Sequence, residues 1–320
     1  ISLGLVGSEM CIRDRVLDDG RLELTLEADL ADPLLVLRCA VVAARHDAYL
    51  QRGSLERLAD HSRPLSIPWP TEARDLFVEL LACGPAAVPV IEDLDHVGLF
   101  VLLVPEWEPC RSRPQRNAYH RFTVDRHLME AAAEASHLVD RVDRPDLLLV
   151  GALLHDIGKG YPGDHTEVGV DLMRTIGSRM GFSEADTDLL VAMVEHHLLL
   201  PDVATRRDLD DDGTIRSVAD ALGSIRLLEL LGALTEADSI ATGPSAWSSW
   251  KGDLVHDLVD RTRHVLSGGD VGEVPGGLLG LLRIAVALGD GADLLVDPLG
   301  VLVDGLLAPL TEQLLSLIHI

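Results

Sequence analysis

Two adjacent residues, His155 and Asp156, end the apolar stretch LLLVGALL and are followed at once by IGKG. An imidazole nitrogen and a carboxylate oxygen are both ligands for divalent metal ions. A carboxylate at the end of so apolar a run is costly unless it is paired or bound to a cation. His127 stands 28 residues before His155, and Asp238 stands 82 residues after Asp156. Together the four supply two imidazoles and two carboxylates. That set suits Mn²⁺, Fe²⁺, Mg²⁺ or Zn²⁺, with positions left open for water and substrate. Of 13 histidines in the chain, seven fall between His120 and His197, a concentration that also points to metal chemistry.

Composition bounds the setting. The chain has 320 residues, enough for one large domain or two ordinary ones. Apolar residues are 47% and charged residues 25%, a globular balance. Asp and Glu number 52 against 27 Lys and Arg, for a net charge of −25. Such a field repels polyanions and argues against coating nucleic acid. No stretch reaches the roughly 18 uninterrupted apolar residues of a membrane-spanning helix. Cys11, Cys39, Cys83 and Cys110 form no CxxC pair, which fits a reduced, cytoplasmic protein rather than a disulfide scaffold or zinc ribbon. Aromatics are only 3%, so the core must be built of Leu, Val and Ala, a composition that favours helices over a β-sandwich.

The elements that must position these residues are helices. Residues 1–15 and the terminal LSLIHI break abruptly from the rest and are expected to be non-native ends on a slice of a longer chain, leaving Cys11 and His319 uninformative. Residues 16–104 read as a helical linker region. Within it, helices are expected over LELTLEADL, over DPLLVLRCAVVAARHDAYL with Asp32 as N-cap and Pro33 at the first position, over SLERLADH, over 71–83, and as a helix-turn-helix over 88–104. The segment 105–118, PEWEPCRSRPQRNA, reads as a loop and domain boundary. Residues 119–266 form a second helical domain and 267–320 a poorly defined C-terminal region.

In that second domain, helical spacing covers Val124–Val142, which carries His127, and Asp146 to Ile157, stopped by Gly158 and Gly160. It continues over His165–Met180, Ser183–His197 with Asp186 closing a capping box, Thr214–Leu222, Ser224–Ile240 with Asp238, and Lys251–Val265. His120 is expected to pack or cap, His137 to face solvent and His196 to end a helix. Trp247 and Trp250, spaced i, i+3, are expected to anchor the core. Arg206 and Arg207 with Asp208 and Asp210 suggest a salt-bridged turn.

Four separated strings carry a resemblance. They are YHRFTVDRH (119–127), HDIGKGYPGDH (155–165), HHLLLPDVATRRDLDD (196–211) and LTEADSIATGPSAWSSWK (234–251), preceded by LLVPEWEPCRSRPQRNA. The sequence resembles the HD-domain superfamily of metal-dependent phosphohydrolases. Within it, the sequence is similar to the bifunctional uridylyltransferase/uridylyl-removing enzymes that modify the PII nitrogen-signalling protein. The likeness spans about residues 20–265. That family joins a nucleotidyltransferase, a helical linker, an HD domain and two glutamine-sensing ACT domains. No Gly-Ser followed by the Asp-x-Asp metal motif of the transferase is present in this sequence, and residues 268–320 show no clear ACT pattern.

The resemblance therefore implies an all-α HD-domain helical bundle behind a helical linker region, performing the uridylyl-removing half of the chemistry. It implies His127, His155, Asp156 and Asp238 as metal ligands, Asp156 and Lys159 as catalytic residues, and His165, His197, Arg206 and Arg207 as a second metal or phosphate site. The cation would be Mn²⁺ or Mg²⁺ before Fe²⁺ or Zn²⁺. The partner would be PII carrying UMP, with no nucleic acid and no membrane. Hydrolysis of a free or signalling nucleotide, and a catalytically silent regulatory scaffold, are the alternatives.

Overall fold

The chain enters the structure through a hairpin rather than a helix. The computed structural model describes residues 10–12, 14–115 and 121–270. His120, residues 1–9, the 116–118 end of the boundary segment and the 271–320 part of the C-terminal region lie outside the described residues.

Strands β1 (Met10–Ile12), β2 (Arg15–Asp18) and β3 (Arg21–Leu24) pair antiparallel in order, and β4 (Tyr49–Leu50) adds to β3 in parallel. Asp18 faces Arg21 across a two-residue turn of Asp19 and Gly20, with φ of 46° and 70°. Positive φ at both turn residues matches the twist of the flanking strands, and Asp-Gly is the dipeptide that tolerates it. No helix forms over LELTLEADL, contrary to the expectation: its first residues belong to β3 and residues 25–30 run on as turns. Leu22 and Leu24 are buried while Arg21 and Glu23 are exposed, a two-residue period that a strand buries on one face.

The rest of the fold is helical, as expected. Helices α1 (Leu35–Arg45), α2 (Arg52–His61), α3 (Thr71–Ala82), α4 (Ala87–His96) and α5 (Leu99–Leu103) build the first part. α1 begins later than its Asp32-Pro33 signal; Asp32 Oδ1 instead accepts from the Leu34 N–H at 2.9 Å in the turn before it. α1 packs on α3 and α4. A row of rings knits this part together: Trp69 edge-on to Phe77 at 5.7 Å, Phe77 stacked on Phe100 at 6.3 Å, and Phe100 edge-on to Trp107 at 5.0 Å. Trp107 belongs to a 3-10 turn over Pro105–Cys110, inside the segment expected to be a loop, and both Trp107 and Cys110 are fully buried.

The second part consists of α6 (Val124–Ala135), α7 (Pro145–Leu154), α8 (His165–Arg179), α9 (Glu184–His196), α10 (Leu199–Arg206), α11 (Asp212–Leu222), α12 (Ile225–Thr242) and α13 (Ser249–Leu266). α6 ends sooner than its apolar period suggests, because the chain tightens into a 3-10 turn over Ser136–Arg141. α10 was not expected from the sequence. Every residue of α7 from Leu147 to Leu154 is buried. A helix that is apolar on all sides belongs at the centre, and α6, α9, α12 and α3 pack around this one.

The two parts are fastened next to the turn that follows α7. Arg179 places its guanidinium on both carboxylate oxygens of Glu106, each at 2.5 Å and largely buried. Paired charge-assisted bonds of this kind fix orientation as well as distance. Arg113 donates to the Gly160 carbonyl at 2.6 Å, and the Tyr161 hydroxyl donates to the Glu106 carbonyl at 3.2 Å. No described helix is long and apolar enough to cross a membrane.

Candidate metal centre

Six side chains meet where five helices end or cross. His127 comes from the first turn of α6, and Asp238 from near the C-terminal end of α12. His155 is the residue that closes α7, and Asp156 opens a 3-10 turn over Ile157–Gly160. His165 is the first residue of α8, held there by Asp164, whose carboxylate accepts from the Thr166 and Glu167 N–H groups at 2.9 and 3.1 Å. His197 closes α9, whose start is capped by Ser183 accepting from Asp186 at 3.1 Å.

Two glycines make the convergence possible by being small. A Cβ on Gly158 would lie 2.0 Å from the His165 carbonyl oxygen and 2.8 Å from the Gly169 nitrogen. A Cβ on Gly160 would lie 2.7 Å from Cys110 Sγ. The sequence suggested that these glycines end a helix. Their use is close approach: Gly158 lets the start of α8 lie against the turn that carries Asp156, and Gly160 lets Pro109 and Cys110 lie against the same turn.

The six residues fall into two triads. His127, His155 and Asp238 each offer one ligand atom, all within 4.8 Å of one another. Asp156, His165 and His197 do the same. Asp156, expected beside the other three around one ion, lies within reach of His155 and also groups with the two further histidines. Asp238 Oδ1 lies 3.0 Å from His127 Nε2 and 3.5 Å from His155 Nε2. Asp156 Oδ1 lies 3.6 Å from His197 Nε2 and 3.7 Å from His165 Nε2. The triads touch, since His155 Nε2 is 3.3 Å from Asp156 Oδ2. Ring centroids run His127, His155, His197, His165 at 5.5, 5.5 and 5.8 Å.

The ring orientations suit a cation. His155 Nδ1 lies 2.9 Å from the Ala152 carbonyl, and His197 Nδ1 lies 2.6 Å from the Val194 carbonyl. A carbonyl only accepts, so each Nδ1 carries a hydrogen and each Nε2 is the nitrogen turned to the centre. His155 Nε2, His197 Nε2 and Asp156 Oδ1 are buried and make no hydrogen bond of good geometry. Buried polar atoms left this way call for a partner, and a divalent ion bound between them supplies one.

Electrostatics agree. Burial opposes charge on His155, yet Asp156 and Asp238 overcome it and raise its pKa to about 10. Burial likewise works against charge on Asp156, but His155, Lys159 and His197 hold its carboxyl well below the usual range. Asp238 is also lowered, by His155 and His127 against its own burial. The centre thus holds two carboxylates, Asp156 buried and Asp238 partly buried, that draw positive charge to themselves. His197 is lowered, chiefly by burial, which favours the neutral ring a metal ligand requires.

A cleft of about 330 Å³ opens onto Asp156 and Asp238. Lys159 lines it, pairs with Asp156, and donates to Gln115 Oε1 at 3.4 Å. Thr242 and Lys251 also line it, neither having been singled out from sequence. Arg206 and Arg207 are not brought to the centre. Both are exposed, and Arg206 pairs with Asp202, one turn back on α10, at 3.5 Å. The unexpected helix carries Arg206 to its solvent end. Trp250 does not anchor the core but is 57% exposed, whereas Trp247 is half-buried with its ring against His256. His137 is exposed, as expected.

A family described as HD domain matches residues 124–225. The bifunctional uridylyltransferase/uridylyl-removing enzyme of Streptomyces coelicolor is 56% identical over 237 residues, 74% of this chain and 28% of that protein. The enzymes of the same name from Mycobacterium tuberculosis and Corynebacterium glutamicum are 49% and 35% identical, over 79% and 72% of this chain and 32% and 33% of theirs. The chain therefore spans about a third of the length of these curated relatives. Residues 124–225 thus match the HD domain family, and most of the chain is similar to a part of the bifunctional uridylyltransferase/uridylyl-removing enzymes.

Proposed function

We propose that this chain is a metal-dependent phosphodiester hydrolase that removes UMP from uridylylated PII protein. The observation that carries the reading is the pair of His/Asp triads side by side at the floor of one cleft. His127, His155 and Asp238 would hold one divalent ion, and Asp156, His165 and His197 a second, with Mn²⁺ or Mg²⁺ the expected cations for a centre that mixes imidazole with carboxylate. Such ions, when bound, lower the pKa of water and polarise a phosphoryl oxygen.

The residues themselves do the rest. Asp156 is held in place by Lys159, so its carboxylate stays ionised and its direction is set. Lys159 adds positive charge beside the position where phosphoryl oxygens gain charge in the transition state. Asp238 is steadied by the Thr242 hydroxyl at 3.5 Å. Water attacks phosphorus, the bond to the phenolic oxygen breaks, and UMP and the free tyrosine depart. A phenol of pKa about 10 leaves with little acid assistance.

The test is to strip the chain of metal, restore Mn²⁺, and follow UMP release from uridylylated PII. Release that requires metal and disappears in Asp156→Asn supports the reading. Release from free nucleotides and never from PII moves the chain to the nucleotidase alternative. No release from any phosphodiester leaves the scaffold alternative.

A further inference from the structure

We propose that Lys251 is a phosphate-binding residue of the cleft, holding the phosphoryl oxygens of the substrate in the same cleft that Lys159 lines. The inference rests on the reading of the cleft as a phosphodiester site.

The chain contains only two lysines, Lys159 and Lys251, among its 27 basic residues. They stand 92 residues apart in sequence. Both line the same cleft. The other basic side chains are arginines, and across the described surface these are largely committed to carboxylates, as Arg38 is to Asp32 and Glu72 and Arg144 is to Asp146 and Asp186. An arginine beside Asp156 and Asp238 would fork onto a carboxylate and compete with a metal ion. A lysine offers a compact point charge instead.

The two lysines are not equivalent. Lys159 is ion-paired with Asp156 and so is part of the centre's own charge balance. Lys251 has no carboxylate within ion-pairing distance among the described residues. Its ammonium donates to two neutral acceptors, the Ser245 and Ala246 carbonyls at 3.1 and 3.3 Å. An ammonium has three donors, so one hydrogen and the whole charge remain for a ligand. The side chain is half-buried. Its backbone is fixed in the first turn of α13, where Lys251 N–H donates to the Ser248 hydroxyl at 3.3 Å. A fixed, partly desolvated and uncompensated cation in a cleft lined by carboxylates has one sensible partner, an anion that enters with the substrate.

The experiment uses the full chain loaded with Mn²⁺ and compares wild type, Lys251→Met and Lys251→Arg. Calorimetry measures the affinity for UMP and, as a control lacking phosphate, for uridine. Steady-state kinetics measures KM and kcat for UMP release from uridylylated PII. The expected result is that Lys251→Met weakens UMP binding and raises KM by about tenfold, the loss of one charge-assisted hydrogen bond. Lys251→Arg, which keeps the charge, recovers part of the loss, and Mn²⁺ binding is unchanged in Lys251→Met. UMP affinity in Lys251→Met equal to wild type overturns the inference. So does a parallel loss of uridine binding, which marks a role in shaping the 243–246 turn rather than holding phosphate, and so does a wild-type chain that does not bind UMP. Should Lys251→Met not fold, Lys251→Gln carries the same comparison with the same expected loss. A wild-type chain that binds UMP but leaves uridylylated PII intact removes the hydrolase reading while the UMP comparison still decides the role of Lys251.

Discussion

The two triads are built from the same kinds of residue but by different means. His127 and Asp238 project from within α6 and α12, helices whose packing around α7 is part of the core. His127 and His155 are almost wholly enclosed. Asp156, His165 and His197 come instead from a 3-10 turn, a helix start and a helix end. His165 is the most open of the six, with 32% of its side chain exposed. One triad is held by helix packing. The other is held by caps, by the smallness of Gly158, and by the linker contacts of Glu106, Arg113 and Cys110 beside it. The first triad should therefore bind its ion more firmly, and the second should be the one that small backbone changes disable.

The largest effect should come from the residue that touches both. Asp156 lies within 3.3 Å of His155 and within 3.7 Å of His165 and His197. Asp156→Asn should lower UMP release by on the order of 10³-fold, as expected from losing several kcal/mol of charge stabilisation. Circular dichroism should show the fold retained.

Gly158→Ala separates the triads more sharply. The added methyl meets the His165 carbonyl and must push α8 away. We expect roughly 1–3 kcal/mol of destabilisation, as for overpacking elsewhere. Metal analysis should show one Mn²⁺ equivalent lost and the other kept. Equal loss of both would mean that the centre is a single unit.

Removing one histidine from each triad gives a gentler form of the same comparison. His127→Ala should abolish the tighter of two Mn²⁺ binding steps in calorimetry, whereas His165→Ala should weaken only the looser one. If both variants weaken the same step, the division into triads is wrong.

The smallest effect lies outside both. Asp186 is held below its ordinary pKa, first by the hydrogen bond from Arg144. A carboxyl lowered in the folded state adds stability that is present above the unfolded value of about 3.9 and is lost as pH falls through the folded value. Urea midpoints measured from pH 6 down to pH 3 should show this loss, at most about 1 kcal/mol for a partly exposed pair. Arg144→Gln should flatten that part of the profile and leave both metal sites unchanged.

Much of this was legible in the sequence, and the reasons differ by residue. His127, His155, Asp156 and Asp238 could be found because unlike residues recur at helix ends in a strongly periodic, apolar context. The Ser183 cap and the boundaries of α8 were legible from local chemistry. The division into triads was not, since it depends on how closely the turn after α7 approaches α8, a long-range fact that only the Gly158 contact reveals. Asp19-Gly20 is a good hairpin signal, yet the Leu-rich segment after it also fits a helix, and pairing with β2 and β4 decided the matter. Trp250 illustrates a limit of i, i+3 spacing, which aligns two rings only within one helix, whereas α13 begins at Ser249 and leaves Trp247 in the loop before it.

The most direct test of the two-triad centre is to add Mn²⁺ stepwise to metal-stripped chain and record bound metal and UMP release from uridylylated PII together. No release without metal, and a rise to full rate as the second equivalent binds, is the predicted result. Full release with no bound metal, or saturation of both binding and rate at one equivalent, would contradict it.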